Sequence, residues 1–213
     1  LSVVRSDFIV GKISKEDDIM KKRLWFVLAV FGMVAAIQGC ALKPQILRID
    51  PTVKVNESAV GNGRSIGLGV SDARTDKKLG EIGDPNTKMV DVSVEEDPST
   101  AVYGRLQEAL AKLGFSVVPY SDAMERTLRV EIRNLELKSI KTPLTFETEL
   151  RAAVGARAGN GPEYYDRQFN VRSRKDGAAP PFEKDSTLLV NTAVSQALED
   201  MLADEQLLEL LAK

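Results

Sequence analysis

Residues 145–174 read TFETELRAAVGARAGNGPEYYDRQFNVRSR, and their alternation decides the fold class. Phe146, Leu150, Ala152, Val154 and Ala156 fall on one face of an extended chain. Thr145, Glu147, Glu149 and Arg151 fall on the other, the period of two that a half-buried strand demands. Asn160-Gly161 is a hairpin turn signal. Pro162 directly after it argues for a loop slightly longer than two residues. The return strand, Tyr164 to Arg174, turns Tyr165, Phe169 and Val171 inward against Asp166, Gln168, Asn170 and Arg172 outward. One apolar face per strand predicts an antiparallel sheet covered on one side only.

The pattern extends in both directions. Leu128, Val130 and Ile132 alternate, and the phase slips before Leu135 and Leu137, which predicts a bulge near Arg133-Asn134. Ser65 to Val70 (SIGLGV) and Met89 to Val94 (MVDVSV) repeat the period of two. Around Ile46 to Val55 a first strand is expected, interrupted by Pro51. Asp97-Pro98 marks a helix start, Asp as N-cap and Pro at the first helical position. Val102, Leu106, Ala109, Leu110 and Leu113 then recur at helical spacing, and Gly114 stops the helix. Phe115 to Val118 reads as a short buried strand ended by Pro119. After the turn-rich Lys175 to Phe182, Asp185 or Ser186 caps a long helix striped by Val190, Ala193, Val194, Ala197, Leu198 and Met201. Asp204 caps a short terminal helix ending at Leu211. The expectation is an α+β domain, a mostly antiparallel sheet of about five to seven strands with two main helices packed on one face.

The N-terminal region has a different character. Lys21, Lys22 and Arg23 precede Leu24 to Ile37, 14 residues without a charge, and Ile37-Gln38-Gly39-Cys40 follows. A basic start, a short apolar run and a small residue before the cut are the parts of a secretory signal. As a helix the run reaches only about 21 Å, short of a hydrocarbon core of about 30 Å. The segment Ile37 to Cys40 resembles the bacterial lipobox, with Gln38 a mild departure from its usual small residue. That resemblance implies a cut between Gly39 and Cys40, a diacylglyceryl thioether on Cys40, and further acylation such as palmitate at the new amino terminus. Each buried methylene contributes about 0.8 kcal/mol, so two or three chains make attachment effectively permanent. Met20 stands where a start is expected, and Leu1 to Ile19 reads as a spurious upstream extension. The expected organisation is extension 1–19, signal 20–39, lipidated tether 40–47 and a single periplasmic domain 48–213.

From Cys40 onward the chain has 174 residues with 23 basic and 27 acidic side chains, a net charge of −4. Nucleic-acid binding asks for a clustered basic excess and is not expected. The one cysteine is assigned to lipid, so no disulfide is expected within the chain. Histidine is absent, which removes the commonest general base and metal ligand. No cofactor, no metal and no catalytic set is expected.

Five groups of residues invite a functional reading, each beside a structural one. Gly61, Gly63, Gly67 and Gly69 enter a strand instead of linking strand to helix, so a turn and a small-residue strand explain them better than a nucleotide loop. Asp72, Arg74 and Asp76 make either a small polar binding spot or a turn in which carboxylates take backbone amides and Arg74 pairs with one of them. Glu95, Glu96 and Asp97 lack the alternating ligand pattern of a calcium loop and suit the positive end of a helix. Arg172, Arg174 and Lys175 could meet anionic lipid or polysaccharide, or be an ordinary charged sheet surface. Glu147 and Glu149 share a strand face, with no partner acid, base or nucleophile assignable.

The lipobox, the strand GVSDARTDKKLGEIG (Gly69 to Gly83), the helix after Asp97-Pro98 and the C-terminal amphipathic helix resemble, in this order, the YajG-like family of bacterial lipoproteins. The likeness covers about Met20 to Ala212, and Val70 to Asp76 is its most distinctive piece. It implies location and no reaction. In Gram-negative sorting an Asp after the acylated cysteine favours the inner membrane; Ala41 stands there, so similarity implies the periplasmic face of the outer membrane. The leading expectation is a non-catalytic binding or accessory lipoprotein, anchored through Cys40, whose exposed sheet face meets an envelope protein or polymer. The alternatives are a lipid- or lipopolysaccharide-handling factor, needing an apolar cavity between helix and sheet, and a carboxylate-based hydrolase built on Glu147 and Glu149.

Overall fold

A computed structural model describes residues 42–213. Eight strands and three helices stand among them: β1 (Gln45–Leu47), β2 (Ser65–Asp72), β3 (Lys78–Asp84), β4 (Lys88–Val94), α1 (Pro98–Lys112), β5 (Ser116–Pro119), β6 (Arg126–Lys141), β7 (Phe146–Asn160), β8 (Glu163–Gly177), α2 (Glu183–Leu202) and α3 (Glu205–Ala212).

β6 organises the sheet. On one edge it pairs antiparallel with β7 along its whole length, and β7 pairs antiparallel with β8. Its other edge is shared by two shorter strands, both parallel to it: β2 against Thr127–Ile132 and β3 against Leu137–Ile140. The expected bulge lies between these two seats, where the β6–β7 register shifts from Ile132 to Asn134. β4 extends the sheet antiparallel to β3, β1 is parallel to β4, and β5 is parallel to β2. The sheet is therefore mixed, not mostly antiparallel, and has eight strands instead of five to seven. Strand direction follows the connection: α1 and β5 intervene between β2 and β6, so no hairpin joins them.

The inward rows follow the alternation. Leu128, Val130 and Ile132 stand opposite Ala158, Ala156 and Val154, which stand opposite Tyr165, Arg167 and Phe169. α2 and α3 cover these rows on β7 and β8. Val190, Ala193, Val194, Ala197, Leu198 and Met201 of α2 are all 3% exposed or less, so the seam between helix and sheet is filled by packed side chains. One polar pair sits inside it: Ser139 and Thr148, opposite one another, share a hydrogen bond of 2.9 Å that satisfies both hydroxyls.

Asp97 accepts from the Ser99 amide with Pro98 in the first turn, and Gly114 follows α1 with φ of 87°, as the sequence predicts. Asp204 caps α3 by accepting from the Leu207 amide. α2 begins earlier than expected: Phe182 precedes it without a side-chain cap, and Ser186 is wholly buried within it. Three helices, the short α3 included, stand where the fold class named two main ones. The β7–β8 turn is the tight two-residue Gly161-Pro162, not a longer loop, since Asn160 pairs directly with Glu163. Gly161 supplies the positive φ (57°) that a primed hairpin turn needs at its first central position, and Pro162 is tolerated after it.

β3 was not expected as a strand of its own, since Gly69 to Gly83 was read as one strand. Leu79 and Ile82 are three apart, which spoils alternation, and its ladder is shaped by glycines. Gly80 and Gly83 have φ of +147° and +146°, and a Cβ on them would lie 2.2 Å from the Leu137 carbonyl oxygen and 2.1 Å from that of Lys88. Only glycine admits such an approach. Gln45–Leu47, assigned to the tether, is a strand with Leu47 fully buried. The stretch expected to continue it is extended but joins no sheet. Its amides at Asp50, Thr52 and Lys54 donate to Asn191 Oδ1, Ser195 Oγ and Glu199 Oε1 at 2.8, 2.9 and 2.8 Å. Alternate residues of an extended chain advance about 6.8 Å and successive fourth residues of a helix about 6 Å, so the two rows stay in step.

Candidate functional site

β2 and β3 lie end to end along the same edge of β6, and the connector between them carries the sequence's distinctive polar motif. The Ala73 amide donates to the Ile132 carbonyl at 3.0 Å, closing the ladder beside the bulge. Arg74 then turns back on Asp72: Nε reaches Oδ1 at 2.8 Å and a terminal nitrogen reaches Oδ2 at 2.8 Å, a two-pronged pair. The two side chains are 3% and 2% exposed, and Lys77 Nζ approaches Asp72 Oδ2 at 2.9 Å. Burial pushes the Asp72 carboxyl up, but the hydrogen bonds from Arg74 and Lys77 outweigh it and hold the group at about 2. Asp76 accepts from the Lys78 amide at 2.9 Å and so closes the turn into β3. The motif is a clasp joining two strands across a gap in the ladder. One Arg74 nitrogen, Nη1, is buried without a hydrogen-bond partner, and the residue lines a surface cleft of about 410 Å³ with Arg133, Asn134 and Lys138.

The outward face of β6, β7 and β8 bears the opposite chemistry. Arg129 and Arg157 stand directly across from one another on β6 and β7. Like charges in that relation repel. Arg129 lies over the Tyr120 ring at 5.5 Å, and Arg157 over the Tyr164 ring at 5.1 Å. Arg133, next along β6, lies flat across Gly155, where a Cβ would meet its guanidinium at 2.2 Å. It is held by Glu131 at 3.0 Å and approaches Asp166 at 3.8 Å. Arg129, Glu131, Arg133, Gly155, Arg157 and Asp166 line a depression of about 160 Å³. Tyr120 itself covers Gly69 of β2, and its hydroxyl donates to Asp122 at 2.5 Å. That bond and partial burial raise the Tyr120 hydroxyl's pKa, while Arg129 and Arg157 both pull it the other way.

The other sequence candidates take structural places. Gly61 and Gly63 lie in the turn before β2, and Gly67 and Gly69 admit Met124 and Tyr120 onto that strand. Glu95, Glu96 and Asp97 line a depression of about 480 Å³ at the start of α1 together with Arg48 and Arg105. Among the described residues no group of three or more acidic or thiol side chains is arranged to hold a metal. Arg172 pairs with Glu149 at 2.7 Å and Arg174 with Glu147 at 2.8 Å, so those arginines are engaged across the strands. The Glu149 carboxyl is lowered, first by Arg151 and with Arg172 adding, the reverse of what a general acid needs. Gly39 and Cys40 lie outside the described residues. No helix of the described residues is long and apolar enough to cross a membrane.

The architecture defines an α+β domain with a mixed sheet, and comparison with known proteins gives its family. A family model described as an uncharacterized lipoprotein (Lipoprotein_16) matches residues 51–212, and the chain belongs to that family. This agrees with the YajG-like resemblance. No curated protein matches the chain. The crystal structure of protein XCC0632 from Xanthomonas campestris, of family DUF330, aligns at 9% identity and a TM-score of 0.50 over 81% of this chain and 96% of that one. A Helicobacter pylori chain described as a neuraminyllactose-binding hemagglutinin homolog aligns at 10% identity and a TM-score of 0.39, over 75% and 95%. The first of these likenesses speaks for the fold alone.

The Arg129–Arg157 pair was not singled out from the sequence. The signal was present, two arginines at outward positions of neighbouring strands, but it needed the register across the β6–β7 connection.

Proposed function

We propose that this lipoprotein is a non-catalytic accessory protein of the cell envelope. Cys40 carries the lipid, the periplasmic face of the outer membrane is its station, and the outward face of β6–β8 binds an envelope protein or polymer. The observation that carries the reading is this long, helix-free face, whose Gln168, Asn170, Arg172 and Arg174 are all exposed. A chain tethered at one end can present such a face without chemistry of its own. The lipid-handling alternative needs an apolar cavity between helix and sheet, where Leu198, Met201 and Val194 are packed to 1% exposure or less. The hydrolase alternative needs a free acid, and Glu147 and Glu149 are both tied to arginines.

The test is a photo-crosslinking residue at Asn170 in intact cells, followed by identification of the adduct. The expected result is one dominant envelope protein or polymer, missing when the crosslinker is moved to Lys112 on α1. Equal adduct patterns from the two positions sink the reading. Mass measurement of the purified protein tests the anchor separately: an unmodified thiol at Cys40 overturns it.

A further inference from the structure

Arg129 and Arg157 are placed at a cost. They face each other across the β6–β7 hairpin, and among the described residues neither makes a salt bridge, although arginines elsewhere on this face do. Their guanidinium groups are instead laid on tyrosine rings at opposite ends of the pair. Between them the surface dips into the depression of about 160 Å³, which also has Arg133 and Gly155 in its lining. A Cβ at Gly155 would displace Arg133, so the glycine keeps that guanidinium low against the sheet.

We infer that the depression framed by Arg129, Arg157 and Arg133 is a binding site for a phosphomonoester group carried on a sugar. The inference rests on the proposed binding role of this face and names its ligand chemistry. Two guanidinium forks lining one depression offer more N–H directions than the two oxygens of a carboxylate can use. A phosphate with three terminal oxygens uses them more fully, and its charge removes the repulsion between the arginines. Tyr164, 69% exposed beside Arg157, offers a flat apolar surface for the sugar ring that carries the phosphate. An anionic bilayer fits less well. Glu131 and Asp166 line the same depression and Asp122 holds the Tyr120 hydroxyl, so a broad negative surface would meet carboxylates. A single compact anion passes between them.

The test is calorimetric titration of the purified full-length protein in neutral detergent with glucose 6-phosphate, inorganic phosphate and glucuronate. Glucose 6-phosphate is expected to bind tightest, inorganic phosphate next and glucuronate weakest, all weakening with added salt. Arg129→Gln and Arg157→Gln are each expected to weaken phosphate binding at least about tenfold, the size of one charge-assisted hydrogen bond. Tyr164→Ala should weaken glucose 6-phosphate and leave inorganic phosphate unchanged, and Lys112→Gln should change neither. The arginine variants should melt no lower than the parent, because each relieves a like-charge pair. Absence of binding, glucuronate binding as tightly as phosphate, or equal affinities in the arginine variants overturns the site. Flotation with phosphatidylglycerol vesicles that depends on Arg129 and Arg157, without sugar-phosphate binding, assigns the arginines to a membrane surface and also overturns it. A dominant crosslink from Asn170 with no phosphate binding sinks this inference and leaves the accessory role standing.

Discussion

The two edges of β6 are built on different principles. Along one, β7 runs antiparallel without a break except the single bulge, and side chains of alternating polarity line both faces. Along the other, β2 and β3 are seated end to end, and the gap between them is held by the buried Asp72–Arg74 pair. The continuous edge depends on packing and tolerates small changes. The interrupted edge depends on backbone approaches that exclude a side chain, and on one ion pair whose two side chains are almost wholly buried.

The sharpest break in this comparison comes from glycine. Gly80→Ala forces a Cβ against the Leu137 carbonyl of β6 at a positive φ and should destabilise the domain by about 4 kcal/mol in urea unfolding. A loss below about 1 kcal/mol would mean that β3 can re-register and that the interrupted edge is softer than described. Asp72→Asn comes next, since it leaves Arg74 buried without its counter-charge, a loss of about 3 kcal/mol at pH 7. Its pH dependence has a definite sign. The folded carboxyl sits at about 2, below its ordinary value of 3.8, so the stabilisation is fully present above about pH 4 and fades as pH falls toward 2. The gap between parent and Asp72→Asn should close by about 2 kcal/mol over that window. A gap that stays constant with pH would remove the charge from the clasp's role.

Two smaller effects probe the continuous edge. Thr148→Val strands the buried Ser139 hydroxyl and should cost about 1.5 kcal/mol with no pH dependence between 2 and 7. Gly155→Ala meets only the end of Arg133's flexible side chain, so it should cost less than about 1 kcal/mol. Comparable losses from Gly155→Ala and Gly80→Ala would erase the distinction between the edges.

Legibility in the sequence follows the same division. The strands of the continuous edge, the bulge near Arg133, the stripe of α2 and the caps at Asp97 and Asp204 could be read from local patterns. Each rests on interactions among neighbours in the chain or on burial of one face. β3 could not, because its ladder is set by what glycine lacks, and an absent side chain leaves no alternation. The Asp72–Arg74 pairing was one of two readings available, and its burial decided it. Asn191, Ser195 and Glu199 lie outside the apolar stripe of α2, and only the distant segment from Asp50 to Lys54 laid along them gives their side chains partners.

The amino-acid order alone determined which residues turn inward and where the helices are punctuated, because local sterics and burial act over a few residues. Strand direction, the sharing of one β6 edge by two strands and the meeting of Arg129 with Arg157 were decided only in three dimensions. Those features depend on which distant segments become neighbours, and nothing within the reach of one turn or one strand specifies that.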